Sequence, residues 1–398
     1  MKELVKVNLT DSIYWVGAVD WNIRDFHGYI TSRGSTYNAY LIVDEKVTLI
    51  DTVKHTFSED LIAHISEIKD PEKIDYIIVN HVEMDHSSSL PKIARIAKNA
   101  TIFSSARGKD ALVEHYGPEF NNVQIVKNGD ELKLGARTLK FIDATMLHWP
   151  DSMFTYIVED KILMPNDAFG QHLATGKRFD DEVDEHVLME EATKYYANIL
   201  MPLGSLVTRK IQEVVQSGLA CCMVAPSHGI IWRSDPSKII NAYADWAAGK
   251  AKSKIVIVHD TMWGSTDKMA RAIAEGSISE GVEVKLLKLR SSDNSEAMTE
   301  ILESKAVVVG SPTLNNGMFP TIGSFMTYAT GLKPKDKLWS FFGSFGWGGG
   351  AVRAMTEMAK KAGFEVHEPG LEIKYIPEKE DLKKCFELGK EIAKRIKA

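Results

Sequence analysis

The chain has 398 residues, a formal net charge of −6, 44% hydrophobic residues and 26% charged residues. At about 150 residues per domain, this length predicts two or three domains. The acidic balance offers no basic surface for nucleic acid, so DNA and RNA are excluded as partners. No run of about 18 apolar residues occurs, so no membrane span is expected. The N-terminal segment lacks the apolar core of a signal peptide, which predicts a cytoplasmic protein.

The cysteine pattern excludes one class of redox centre. The cysteines are Cys221, Cys222 and Cys385, and no CxxC pair is present. A rubredoxin or a cysteine-ligated iron–sulfur cluster needs several cysteines at short spacing. We therefore expect no such centre within this chain, and three reduced thiols of a cytosolic protein.

Residues 1–250 show strand and helix patterns in mixed order. Alternating polar and apolar residues predict strands, and apolar residues at helical spacing predict helices. Strands are predicted at 13–20, 36–53, 75–80, 101–104, 122–126, 131–144, 153–164 and 221–226. Helices are predicted at 58–69, 90–98 and 108–116, and within the longer region 187–216. These residues are predicted to form one mixed sheet-and-helix domain.

A change of composition near residue 250 predicts a domain boundary. Residues 247–254 are small, polar and basic, and we interpret them as a linker. From 251 to 398 strands and helices alternate strictly, which predicts an α/β domain with a doubly wound parallel sheet. Its strands are predicted at 255–258, 283–289, 306–309 and 337–342, and its last helix at 379–397.

Ligand-type side chains gather where buried strands of the first domain end. Four of them follow the strand at 75–80 within six residues, and three more follow later strands. The seven candidates are His81, Glu83, Asp85, His86, His148, Asp167 and His228. Side chains at the ends of strands are commonly functional, and two metals together need about this number of ligands. Asp167, which is isolated from the first cluster, is the candidate to bridge both metals.

The cluster at residues 81–86 resembles the HxHxDH metal loop of the metallo-β-lactamase fold, an αββα sandwich that binds two zinc ions. It departs from that pattern at Glu83, which stands in place of the second histidine. An additional carboxylate suits iron better than zinc. Two ferrous ions, three carboxylates and one bridging hydroxide sum to zero charge, which a partly buried site tolerates.

The second domain opens with a strand that runs into the sequence HDTMWGST, where a helix is predicted to begin. Backbone N–H groups and hydroxyls at a helix N-terminus bind anions. Thr261, Ser265 and Thr266 are predicted to hold a phosphate, and Gly264 permits its close approach. Because the loop is neither GxGxxG nor a Walker sequence, a mononucleotide is favoured over a dinucleotide or ATP.

Two further glycine-containing loops, at 310–317 and 343–350, follow later strands of the same sheet. Their backbone suits the edge of a flat ring, on which Trp347 can stack. The three loops together resemble flavodoxin, which binds FMN with its 5′-phosphate in the first loop. The predicted FMN-binding residues are Thr261, Met262, Trp263, Gly264, Ser265, Thr266, Ser311, Pro312, Thr313, Leu314, Asn315, Ser344, Phe345, Gly346, Trp347 and Gly348.

A lactamase-like domain with HxExDH, followed by a flavodoxin-like domain, resembles the flavodiiron proteins, also called A-type flavoproteins. The resemblance covers essentially the whole chain and includes the stretches at 20–29 and 36–40. It implies a non-haem di-iron centre and FMN. One iron would be bound by His81, Glu83, His148 and Asp167, and the other by Asp85, His86, Asp167 and His228. His86 is not a ligand in every member of the family.

The resemblance also implies an activity and partners. Flavodiiron proteins reduce nitric oxide to nitrous oxide or dioxygen to water. The first reaction takes two electrons, which two ferrous ions supply, and the second takes four, which the irons and a reduced FMN supply together. Because the chain has no rubredoxin of its own, electrons are expected from a separate protein such as rubredoxin. A head-to-tail homodimer, or a dimer of dimers, is expected.

Three other residues near the metal motifs have two interpretations each. His27 and Tyr195 either line a pocket for the gas or belong to the core or surface. Trp149, beside His148, either shields the metal or is an ordinary buried aromatic residue.

Other functions remain open at this stage. A binuclear zinc hydrolase would use the same fold, but Glu83 and the flavin loops argue against it. A simple FMN electron carrier would leave the seven candidate ligands unexplained. Between the two gases, family tendency favours nitric oxide, and a protein that mainly reduces dioxygen is the alternative.

Overall fold

The computed structural model of the protein describes residues 6–397. The chain divides into two compact units: Met1–Tyr195 with Ser205–Ala244, and Tyr196–Gly204 with Asp245–Ala398. Among the described residues, no helix combines the length and apolar character needed to cross a lipid bilayer.

The first unit is built largely from short strands. They are β1 (Val7–Thr10), β2 (Ile13–Trp15), β3 (Ala18–Asp20), β4 (Asp25–Phe26), β5 (Tyr29–Ile30), β6 (Ser35–Tyr37), β7 (Tyr40–Ile42), β8 (Thr48–Ile50), β9 (Tyr76–Val79), β10 (Thr101–Ser104), β11 (Gln124–Ile125), β12 (Glu131–Lys133), β13 (Thr138–Asp143), β14 (Met153–Ile157), β15 (Ile162–Met164) and β16 (Met223–Val224). The helices up to the end of this region are α1 (Ser58–Ser66), α2 (Met84–Ser87), α3 (Leu90–Ile96), α4 (Ala106–Tyr116), α5 (Glu185–Tyr195), α6 (Gly204–Gln216) and α7 (Pro236–Ala247).

Two sheets form the centre of the first unit. One has the order β1-β2-β7-β8-β9-β10-β11, and the other has the order β12-β13-β14-β15-β16. Ile50 and Ile78 of the first sheet pack in one apolar cluster with Phe141 and Ile157 of the second, so the sheets lie face to face. The opposite side of the first sheet packs against α1, α3 and α4 in a second cluster that includes Leu61, Leu90 and Leu112.

The second unit alternates strands and helices. Its strands are β17 (Lys252–His259), β18 (Glu283–Lys288), β19 (Ser304–Leu314), β20 (Gly317–Met318), β21 (Leu338–Phe345) and β22 (Glu365–Lys374). Its helices are α8 (Ser265–Ser279), α9 (Asn294–Leu302), α10 (Pro320–Leu332), α11 (Ala351–Lys361) and α12 (Lys379–Lys397).

The main sheet of the second unit has the order β18-β17-β19-β21-β22, and every neighbouring pair in it is parallel. Ile255 and Ile257 pack with α8 and α12 on one face. Val256 and Val258, which point to the other face, are also fully buried. Burial on both faces is typical of a doubly wound parallel sheet, so the predicted α/β architecture is confirmed.

Several elements differ from the sequence prediction. Strand β22 was not predicted, because Pro369, Gly370 and its charged residues hide the pattern of a strand. It lies at the edge of the sheet, where proline and charge are tolerated. The predicted linker at 247–254 is partly structured, since α7 ends at Ala247 and β17 begins at Lys252. Within 187–216, Pro202 separates α5 from α6, and a π-helix and a 3-10 turn lie between them.

Candidate di-metal centre and flavin site

The folding of the first unit brings all seven candidate metal ligands into one place. His81 follows β9, and the short helix α2 carries Asp85 and His86. Asp167 follows β15, and His228 follows β16. Glu83 stands between β9 and α2, and His148 lies between β13 and β14. All seven are buried or nearly so.

Four donor atoms form the first group. Glu83 Oε2 lies 3.2 Å from His81 Nε2 and 3.4 Å from His148 Nε2. Asp167 Oδ2 lies 3.5 Å and 3.2 Å from the same two nitrogens. These four residues satisfy the geometric requirement for a common metal ion.

A second group lies on the other side of Asp167. Asp85 Oδ2 is 3.1 Å from His86 Nε2 and 3.0 Å from His228 Nε2. The other oxygen of Asp167, Oδ1, lies 3.0 Å from His86 Nε2 and 3.4 Å from His228 Nε2. One Asp167 carboxylate therefore presents one oxygen to each group, as a bridging ligand does.

The donor atoms of the second group are spaced as the ligands of a metal ion are. Metal–nitrogen and metal–oxygen bonds of about 2.1 Å place neighbouring donors roughly 3.0–3.4 Å apart, and the contacts at the second group are 3.0–3.4 Å. Among the described residues, both oxygens of Asp85, His86 Nε2 and Asp167 Oδ2 are buried without a hydrogen-bond partner. Close donors that do not hydrogen-bond each other indicate a shared ligand between them.

The electrostatics of the cluster favour positive charge. Burial opposes charge on the rings, but Asp85 and Asp167 raise the pKa of His86 to about 9. Burial is likewise outweighed at His148, where Asp167 and Glu83 raise the pKa to about 9. Burial would raise the pKa of Asp167, yet the nearby histidines hold it well below its usual range. The carboxylate field that attracts protons to these rings also attracts metal cations.

Outer hydrogen bonds orient the histidines. His81 Nδ1 lies 3.0 Å from Asp151 Oδ2, which also accepts a 2.7 Å bond from the N–H of Val82. His228 Nδ1 lies 2.7 Å from the carbonyl of Thr36. In both rings Nε2 therefore points towards the donor groups. Outer hydrogen-bond partners orient metal-bound histidines in the same way. Asp151 was not predicted from the sequence, although it follows His148 by only three residues.

Asp51 holds the two chain segments that carry His81 and Asp167. Its carboxylate accepts hydrogen bonds from the backbone and side chain of Asn80 at 2.7 and 3.0 Å, and from Asn166 at 3.2 Å. Each asparagine immediately precedes a candidate ligand, so Asp51 fixes the spacing between two strands that are far apart in the chain. Residue spacing alone gave no sign of this role.

Aromatic and histidine side chains surround the cluster. His27 Nε2 contacts Glu83 Oε1, and His27 is half exposed. Tyr195 is buried with its ring 6.2 Å from that of His228, and the Trp149 ring lies 5.1 Å from that of His81. His172, which the sequence analysis did not single out, is fully buried with its ring 4.7 Å from that of His228.

The predicted flavin residues lie on three neighbouring strand ends of the second unit. The loops follow β17, β19 and β21, which are adjacent in the sheet, so their carboxyl ends share one edge. A hydrogen bond of 2.9 Å joins the hydroxyls of Thr266 and Ser344, from the first and third loops. The N–H of Ala351 donates to Thr313 Oγ1 at 3.3 Å, which links the second loop to α11.

The first of these loops fits a phosphate. Gly264 precedes α8 with a φ of +89°, and the helix has no side-chain N-terminal cap. A Cβ at Gly264 would meet nothing within 4 Å, so there is open space at this residue, next to a first turn whose N–H groups have no intrahelical acceptor. The indoles of Trp263 and Trp347 are 95% and 93% exposed, which leaves both free to contact a flat ring.

A two-domain arrangement of this kind, with a di-metal site on a lactamase-like scaffold and a flavin-type site on a doubly wound sheet, defines a metalloflavoprotein. The ODP family of beta lactamases matches residues 36–229, and the flavodoxin family matches residues 257–389. The chain belongs to the flavodiiron proteins.

The similarity to individual relatives extends over nearly the whole chain. The chain is 53% identical over 393 residues to a nitric oxide reductase of Moorella thermoacetica, covering 98% of both proteins. It is 46% identical over 405 residues to a coenzyme F420H2 oxidase of Methanocaldococcus jannaschii, covering 98% of this chain and 96% of the relative. The solved rubredoxin oxygen:oxidoreductase from Desulfovibrio gigas superposes with a TM-score of 0.95 at 38% identity, covering 99% of both chains.

Proposed function

We propose that the protein reduces nitric oxide to nitrous oxide, and dioxygen to water, with electrons that pass from rubredoxin through FMN to a di-iron centre. The observation that carries this proposal is the pair of donor groups joined by Asp167. Two metal positions that share one carboxylate, in a chain that also has a flavin-type domain, suit a reaction that consumes electrons in pairs.

The metal ligands are proposed as two sets. His81, Glu83, His148 and Asp167 hold one iron, and Asp85, His86, Asp167 and His228 hold the other. The three carboxylates in these sets favour iron over zinc. Iron held by these residues would supply a binding position for the gas and electrons for its reduction. The contacts of His86 at 3.0–3.1 Å support its inclusion.

The protein side chains have separate tasks in this reaction. Asp151 and the carbonyl of Thr36 keep the Nε2 atoms of His81 and His228 free to bind metal. The half-exposed His27, in contact with Glu83, is placed to pass protons between solvent and the centre. The buried Tyr195, and Trp149 with its ring beside that of His81, are placed to keep bulk water away from the donor groups.

FMN is proposed to bind at the three loops of the second unit. The first turn of α8 and the hydroxyls of Thr261, Ser265 and Thr266 would hold its phosphate, and Trp347 would contact its ring. The residues at 311–315 and 344–348 surround the rest of the flavin. FMN takes up and releases electrons singly or in pairs, so it matches a one-electron donor to a two-metal centre. The di-iron domain is proposed as 1–250 and the FMN domain as 251–398.

A head-to-tail homodimer, or a dimer of dimers, is proposed as the functional assembly. Exposed apolar side chains support this, because Trp263 and Trp347 in the flavin loops and Met84 in the metal loop are accessible to a second subunit. We also propose a cytoplasmic location, since Cys221, Cys222 and Cys385 are all free thiols. Light scattering combined with size-exclusion chromatography measures the assembly, and a monomer at micromolar concentration would contradict it.

The test of function is anaerobic turnover of the purified full chain with reduced rubredoxin, with nitric oxide and dioxygen supplied in parallel. We expect sustained nitrous oxide formation, faster than dioxygen consumption. Faster dioxygen consumption would instead make the protein mainly a dioxygen reductase. A protein loaded with iron and flavin that consumed neither gas would disprove the proposal.

Two further arms separate the alternatives. Replacing rubredoxin by reduced coenzyme F420 tests the donor of the relative from Methanocaldococcus jannaschii. Measuring iron and zinc in the purified protein tests the binuclear zinc hydrolase, which predicts zinc and no flavin turnover. The variant Asp167→Ala should lose iron and both activities while it retains FMN, and Asp160→Ala, whose side chain pairs with Arg137, is the matched control.

A further inference from the structure

Two carboxylates flank the loop that is proposed to hold the FMN phosphate. Asp260 directly precedes Thr261, and Asp267 lies in the first turn of α8. A carboxylate in the first turn of a helix stabilises the helix, but it repels a phosphate bound at the same terminus. Compensation of these two negative charges therefore strengthens the binding of a phosphate at this loop.

Asp260 has a permanent cationic partner. It is fully buried, and Arg290 Nε lies 3.2 Å from its Oδ1. Thr321 Oγ1 donates to Oδ2 at 2.6 Å, and the N–H of Thr261 donates to Oδ1 at 2.7 Å. The Arg290 side chain is half exposed, but Asp260 itself is fully buried and arginine stays charged at any working pH, so this pairing does not change with pH.

Asp267 has two partners, one exposed arginine and one buried histidine. Arg271 Nε lies 2.9 Å from its Oδ2, but the Arg271 side chain is 67% exposed and its ion pair is screened by solvent. The buried partner is His259, whose Nε2 lies 3.1 Å from Asp267 Oδ1. His259 is 1% exposed, at the end of β17.

The second ring nitrogen of His259 also faces an acceptor. Nδ1 lies 3.1 Å from the carbonyl oxygen of Leu287 at the end of β18. An imidazole ring donates from both nitrogens only when it carries two protons. Burial and the neighbouring Lys288 of β18 lower the pKa of His259, while Asp267 of α8 opposes them. With these effects together the pKa of His259 lies below its ordinary value, so a nearby anion is needed to favour the second proton.

We propose that His259 is a phosphate-selectivity residue, whose protonated ring cancels the charge of Asp267 and so sets the affinity of the protein for FMN over riboflavin. This inference rests on the proposed FMN function. A phosphate dianion at the first turn of α8 favours the protonated ring, so FMN binding is accompanied by uptake of a proton at His259. Riboflavin has no phosphate, so its binding is expected to leave the protonation of His259 unchanged.

The experiment measures binding of FMN and riboflavin to the flavin-free full chain by quenching of flavin fluorescence. His259→Gln keeps a hydrogen-bonding side chain but cannot carry charge, and we expect FMN affinity to fall about tenfold with riboflavin affinity changed less than twofold. His367→Gln is the matched control, because His367 lies on the edge strand β22. In the Asp267→Asn background the same His259 substitution should have little effect, since no carboxylate charge is left to cancel.

Calorimetry of FMN binding in two buffers of different ionisation enthalpy measures the number of protons taken up on binding. The native protein should take up more protons than His259→Gln at pH 6–7, and riboflavin should show no difference between them. Equal losses for both flavins in His259→Gln would overturn the inference and leave His259 as a loop-positioning residue. Unchanged FMN affinity in His259→Gln would also overturn the inference, because Arg271 alone would then be sufficient to compensate the charge of Asp267. A native protein that bound no FMN would instead disprove the proposed function.

Discussion

Asp151 supplies no direct ligand in the proposed sets, yet we expect its replacement to weaken metal binding strongly. Its Oδ2 atom accepts hydrogen bonds from His81 Nδ1 at 3.0 Å and from the backbone of Val82 at 2.7 Å, and the residue is 3% exposed. Asp151→Asn retains the size of the side chain but removes the charge. The amide then loses the acceptor strength that fixes His81 with Nε2 towards the metal.

The magnitude follows from the contacts. A hydrogen bond to a charged group contributes about 1.5–3 kcal/mol. Loss of an outer partner of a metal ligand typically costs about 10–100-fold in metal affinity, which is about 1.4–2.8 kcal/mol. Because the two figures agree, we expect Asp151→Asn to bind the first iron about 10–100-fold more weakly, with little effect on FMN.

Anaerobic titration of the metal-free protein with ferrous ion, in competition with a chromophoric chelator, measures this affinity. Asp160→Asn is the matched control, since Asp160 is a carboxylate paired with Arg137 that has no contact with the metal groups. If Asp151→Asn bound both ions as tightly as the native protein, the hydrogen bond to His81 would have no role in metal binding and the reasoning would be refuted.

Three further predictions concern stability. Gly276→Ala should lower the free energy of unfolding by about 1–3 kcal/mol, because the new Cβ would lie 2.0 Å from the carbonyl oxygen of Phe386 on α12. Gly331→Ala should raise it by about 0.5–1 kcal/mol, because a Cβ there would meet nothing within 4 Å. Urea unfolding measures both, and a reversed order of the two variants would contradict the packing. Burial lowers the pKa of Lys337 to about 8, below the unfolded value of about 10.4. The free energy of unfolding should therefore rise by about 3 kcal/mol as pH increases between these two values, and fall again as pH decreases through them. Lys337→Met should remove this rise, and parallel pH profiles of stability for the native protein and the variant would contradict the prediction. Removing metal with a chelator should lower the melting temperature, since a ligand at about 1,000 times its Kd stabilises the folded protein by about 4 kcal/mol. The chelator should not change the melting temperature of Asp167→Ala. A native protein whose melting temperature did not respond to the chelator would contradict the metal assignment.

Much of the architecture could be read from the sequence because its signals are local. Alternating strands and helices after residue 251 predicted the doubly wound sheet, and buried strands that end in histidine or carboxylate located the metal cluster. Strand β22 was missed because an edge strand needs apolar residues on fewer positions, and its Pro369 and Gly370 obscure the pattern.

The sequence by itself determined the donor types: four histidines and three carboxylates at strand ends, and a loop of hydroxyls and glycine before a helix. Only the tertiary structure decided which oxygen of Asp167 faces which group, and that Asp151 and Asp51 support ligands from other segments. It also paired His259 with Asp267. The physical reason is that residue types and periodicity are properties of neighbours along the chain, whereas hydrogen bonds and shared charges join segments that only folding brings within about 3 Å.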